Sequence, residues 1–88
     1  MQMHQKREIT IRGTVLPAEW DRHGHVTGIG IGTEEDQEYI IFLDKTGEKL
    51  FKFVDRKVEA TGTVKNVYGD FVLTVNNYKL LADDDYKE

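Results

Sequence analysis

The side chains with chemistry to offer gather in one stretch, EWDRHGHVTGIGIGT, Glu19 to Thr33. Asp21, His23 and His25 stand at i, i+2 and i+4, so a straight strand would point all three to one side, as metal ligands require. DRHG, however, carries Asp at the first and Gly at the fourth position of a turn, the preferred type I arrangement with a left-handed glycine exit. Folding back at that point breaks the alignment and employs Asp21 as an acceptor for backbone N–H groups inside the turn. Structural zinc sites want four ligands at recognisable spacing, and only His4 stands as a further candidate. The stretch therefore reads as a hairpin tip, and no metal or cofactor is expected.

The glycine run fails as a phosphate cradle, because GIGIG lacks the G-x-G-x-x-G spacing and no helix N-terminus follows it. Its alternation turns Ile29 and Ile31 toward a core and leaves the surface over Gly28, Gly30 and Gly32 bare. Two readings stay open: glycines that let a strand coil in a tight barrel, or a flat floor for a partner. Nucleophilic catalysis has little to work with, since the chain holds no serine and no cysteine. Glu34, Glu35, Asp36 and Glu38 form a charged turn with no facing partner, so no acid–base pair is set up. A protein that binds rather than catalyses is expected.

With 88 residues, most of the chain is needed for one hydrophobic core, which means a single domain. Net charge is −4, of which the tail ADDDYKE carries −3, leaving −1 for the rest. A body so near neutrality lacks the positive field that drives non-specific nucleic-acid binding. The start, MQMHQKREIT, is basic but has no apolar segment, so no signal peptide is expected. No apolar run approaches the about 18 residues of a membrane span. Without cysteines the usual argument for secretion is missing, and the cytoplasm is the expected location.

The elements that must position these residues follow a period of two. Ile9, Ile11 and Val15 alternate with Thr10, Arg12 and Thr14 in a first strand, which Pro17 is expected to end because it has no N–H to donate. Thr27 to Thr33 makes a second strand. YIIFL, Tyr39 to Leu43, reads as a third, covered on both sides. Val58, Ala60, Gly62 and Val64 face one way along a fourth. Phe71, Leu73 and Val75 open a fifth, whose phase slips at Asn76–Asn77 as a bulge requires. In DKTGEKLFKFVDRK, Leu50, Phe51, Phe53 and Val54 share one helical face, which favours a short helix whose aromatics plug a barrel end. LFKFV also has strand propensity, so a strand over 48–54 remains the rival.

Five strands with a helical link between the third and fourth make a small closed barrel. VDRKVEATGTVKNVYGDFVLTVNNYKLL, with ITIRGTV as a first strand, resembles the oligonucleotide/oligosaccharide-binding (OB) fold over residues 8–81. It is also similar to small uncharacterised bacterial proteins that carry one such domain. Flexible ends are expected at 1–7 and 82–88; an SH3-like barrel or a six-stranded variant are the alternatives. Gly13 and Gly62 sit mid-strand, where a residue without Cβ lets a strand bend sharply.

The resemblance implies a ligand path across strands two and three, rimmed by PAEWDRHGH and KNVYGD. There Trp20 and Tyr68 would stack on bases, and Arg22, Lys65 and less directly Arg12 would meet phosphates. His23 and Tyr39 complete the candidate ligand-binding set. Alternatively, Trp20 packs across its hairpin onto Val26. Two functions compete: single-stranded nucleic-acid binding, and a protein-interaction or assembly module that docks a partner or a second copy by strand addition. A histidine-based metal site ranks behind both, and the oligomeric state is open.

Overall fold

The computed structural model describes residues 7–82. Alternation becomes five strands: β1 (Arg7–Trp20), β2 (Val26–Thr33), β3 (Glu38–Ile41), β4 (Lys57–Val67) and β5 (Asp70–Leu80). Between β3 and β4 the chain forms α1 (Lys45–Glu48) and then a 3₁₀ helix, Lys49–Phe53. The strands close into a barrel in the order β1-β2-β3-β5-β4, and β4 returns to β1. Neighbours are antiparallel except β3 and β5, which run parallel. This is the all-β, OB-like closed barrel expected, with its short helix between the third and fourth strands. The six-stranded alternative falls away, because the backbone through Phe53 is helical and five strands complete the ring. The flexible ends expected at 1–7 and 82–88 lie outside the described residues, apart from Arg7, which opens β1, and Ala82. Among the described residues no helix is long and apolar enough to cross a membrane.

Inward residues supply the core: Val15 from β1, Ile29 and Ile31 from β2, Ile41 from β3, Val58 and Ala60 from β4, Leu73 and Val75 from β5. Each large aliphatic side chain removed from water contributes about 1.5–3 kcal/mol. Leu50 closes the barrel and is fully buried, while Phe51 and Phe53, expected to be the plug, are half-buried around it. Asp44 starts the helical link by accepting the Gly47 N–H at 2.9 Å.

Two expectations need correction. Pro17 does not end β1, which runs on to Trp20 with register shifts around Glu19. Val15 shows why: its N–H and C=O bond to Arg56 and Asp55 on the β4 side. Pro17, two residues on, turns its missing donor the same way, so the β2 ladder loses nothing. YIIFL is likewise not a strand covered on both sides. β3 stops at Ile41, and Phe42 is 53% exposed. Its N–H still bonds to Leu73, but its carbonyl accepts from Asp44 as the chain leaves the sheet for α1.

The phase slip at Asn76 is present: Thr61 pairs with Asn77 and Gly62 with Val75, leaving Asn76 as the extra residue of a bulge. Opposite that bulge, a Cβ on Gly62 would overlap the Thr74 carbonyl oxygen. Gly13 sits where β1 pairs with both Val58 of β4 and Thr33 of β2, and a Cβ there would overlap the Gly32 carbonyl oxygen. Both glycines stand where two backbones meet closely.

Candidate functional site

Cross-strand pairing sorts the outer surface into two halves of different character. Over β1, β4 and β5 the outward rows are polar: Thr10, Thr61 and Asn77 form one, Arg12, Glu59 and Lys79 the next. Thr10 and Thr61 join their hydroxyls at 2.8 Å. The Glu59 carboxylate accepts from Arg12 Nε at 3.0 Å, with Lys79 Nζ at 3.7 Å. The Arg12 hydrogen bond first, and the Lys79 charge next, hold the Glu59 carboxyl below its ordinary range.

The other half carries the row Leu16, Gly30, Ile40, Val72 and Lys65, whose first four members are apolar. Here lies a groove of ≈ 310 Å³ with Gly28, Ile40 and Val72 on its floor and Leu43 and Val67 at its sides. Two acidic residues, Glu19 and Asp70, line it as well. The glycine face is not bare. Glu19 Oε1 lies 3.0 Å from where a Gly28 Cβ would sit, and Glu38 Oε2 lies 3.1 Å from that of Gly30. Leu16 Cδ1 covers Gly32 at 3.0 Å in the same way. Glycine thus lets neighbouring side chains lie flat on β2, and two of those side chains are acidic.

The expected site residues scatter around this groove. Lys65 stands beside it, across from Val72. Tyr68 is fully exposed at the tip of the β4–β5 hairpin, whose flanking residues Val67 and Asp70 line the groove. In that two-residue turn both Tyr68 and Gly69 have positive φ, and Asn66 accepts the Gly69 N–H at 2.9 Å. Trp20 pairs with Val26 across the β1–β2 hairpin yet stays 57% exposed, next to Ala18 and Glu19 of the groove wall. Arg22 and His23 are exposed in the turn beyond it. Tyr39 lies on a different groove, beside Thr10–Gly13 and the β2–β3 turn; it pairs with Ile31 and packs on Phe71 with ring centroids 5.8 Å apart. Ile40, Val72 and Val67 were absent from the candidates, although the apolar beats on both sides of YIIFL and FVL signal outward hydrophobics.

Asp21 does what its turn demands. Its Oδ1 accepts the N–H of His23 at 2.8 Å and of His25 at 2.9 Å. Those bonds, the one from His25 foremost, lower its pKa. His25 Nδ1 sits 3.4 Å from Asp21 Oδ2, and the two imidazole centroids are 6.2 Å apart. Among the described residues no group of three or more His, Asp or Glu side chains is placed to hold a metal ion, and His4 lies outside them. No family model matches this chain, and no curated protein matches its sequence.

Proposed function

We propose that this barrel is a non-catalytic binding module that seats an apolar, positively charged segment of a partner protein in the outer groove of β2, β3 and β5. One observation carries the reading: an apolar floor of Ile40 and Val72 lined by the acidic residues Glu19 and Asp70, with Glu38 close by over Gly30. Apolar contacts supply affinity, and acidic walls select a lysine- or arginine-bearing segment over an acidic one. A phosphate backbone laid along the same floor would meet three carboxylates against the one ammonium of Lys65. Single-stranded nucleic acid is the second reading, favoured by the exposed rings of Trp20 and Tyr68 on the two flanking hairpins.

Titration at low salt separates them. The probes are a short Lys-Leu-Val-Leu-Lys peptide, its Glu-Leu-Val-Leu-Glu twin and a thymidine oligomer. Expected is movement of the Ile40, Val67 and Val72 amide resonances with the basic peptide alone, reduced in an Ile40→Lys variant. Quenching of Trp20 fluorescence by the oligomer alone transfers the function to nucleic acid. Equal response to both peptides removes the electrostatic argument.

A further inference from the structure

We infer that the first half of β1 is an interface through which two copies of this chain join strand to strand about a two-fold axis at Thr10. β1 serves two neighbours in turn. Arg7–Thr14 pairs with β4, and β2 takes up the other side only from Gly13 onward. Before Gly13 that other side has no strand beside it among the described residues, because β2 ends at Thr33 and the chain turns away through Glu34 and Glu35. A groove of ≈ 800 Å³ borders this edge, with Thr10, Ile11 and Arg12 facing the β2–β3 turn and Tyr39, and it reaches over β1 to Lys57, Glu59 and Leu81.

The direction of the free backbone groups follows from parity. Val15 sends its N–H and C=O toward β4, and the β1–β4 register is unbroken from Arg7 to Thr14. Residues alternate sides along a strand, so Glu8, Thr10 and Arg12 direct their N–H and C=O groups into the open groove. Natural edges are blunted by proline, bulges, inward charges or charged side chains along the edge. The segment Glu8–Thr14 has only the last, Glu8 and Arg12, and they are of opposite sign.

The occupant follows from the side chains. An antiparallel pair centred on Thr10 of both copies places Glu8 opposite Arg12 of the second copy, twice over, and ends there because the place beside Gly13 is held by Thr33. On the inner side it places Ile9 opposite Ile11 of the second copy; both are half-buried in one chain and packed on the core. Centring the pair on Glu8 or on Arg12 instead sets like charges against each other, and centring it on Ile9 or Ile11 sets Glu8 or Arg12 against Thr10, so only the Thr10 register joins opposite charges. Arg12 uses its Nε for Glu59, which leaves the two terminal nitrogens of its guanidinium for the second copy. This edge lies apart from the proposed binding groove, and no residue lines both.

The test is molar mass by light scattering and sedimentation of the full chain from micromolar to millimolar concentration. The wild-type protein dimerises. Glu8→Arg and Arg12→Glu, each alone, set like charges opposite each other and weaken the dimer about ten- to hundredfold. Mixing these two variants restores dimers, because every cross-strand contact then joins opposite charges. Circular dichroism matching the wild type shows that each variant is folded. A strictly monomeric wild-type chain overturns the inference, as does a mixture that pairs no better than its components. Dimers untouched by either variant place the contact on another surface.

Discussion

Replacing Gly62 with alanine tests whether mid-strand glycines are there for close backbone approach. The added Cβ would overlap the Thr74 carbonyl oxygen, with the Val75 Cα at 3.0 Å, so only backbone can give way. Crowding a packed position costs about 1–3 kcal/mol. Displacing a ladder hydrogen bond at the bulge adds about 1 kcal/mol. The sum, about 2–4 kcal/mol, is a large share of the roughly 4–13 kcal/mol that a chain of this length carries. With a urea slope of about 1 kcal/mol per molar, the unfolding midpoint falls by about 2–4 M. Gly32→Ala is the control, because its Cβ would meet only Leu16 Cδ1, at 3.0 Å, the movable end of a side chain. Gly32 has no positive φ, so alanine there changes stability by less than about 1 kcal/mol, toward stabilisation through the unfolded chain. Equal midpoints for the two variants refute the close-approach argument and return glycine to the role of a mere flexible link.

Leu50→Ala empties the fully buried position that closes the barrel and costs about 2–5 kcal/mol, lowering the thermal midpoint by at least about 10 °C; a shift of a degree or two would show that Leu50 does not seal it. The Asp21 carboxyl has a lowered pKa because it accepts the His25 and His23 N–H groups, so its contribution to the hairpin is complete above the unfolded aspartate pKa and lost as pH falls through the folded value. Amide resonances of His23 and His25 should therefore titrate together with Asp21, below the ordinary aspartate range, and amides that ignore pH there would deny the bonds.

Alternation made the barrel legible, since in-or-out placement is all a period of two encodes. Ile29, Ile31, Val58 and Ala60 sit inside as their beats demand, and the Asn76 bulge is visible because the beat changes there. The turn at Asp21 was legible for another reason: its chemistry is local. What the beats cannot say is which neighbour lies across. Glu19 covers Gly28 and Glu38 covers Gly30 only because the strands meet in that register, so an apparently bare face is an acidic one. Nor does YIIFL have a polar beat to tell that Tyr39 and Ile40 face different grooves. Pro17 misled because a missing donor matters only on the side where a partner waits.

Unequal strand length underlies both the outer groove and the open β1 edge. β1 has 14 residues, β2 has 8 and β3 only 4. A short β3 leaves the outer sheet hollow between the roots of two hairpins, which is where the apolar floor lies. A long β1 must change partners at Gly13, and the bend that closes the ring there also strands the edge from Glu8 to Arg12 outside it. Charge then divides the two. Glu19 and Asp70 give the hollow one sign, which suits a foreign basic segment and repels a second copy of an acidic chain. The β1 edge holds both signs at a spacing that reverses onto itself, which suits its own twin. An Ile40→Lys variant should accordingly lose the peptide response and keep the dimer, while Glu8→Arg does the opposite; a variant of either kind that abolished both would mean the two surfaces are one.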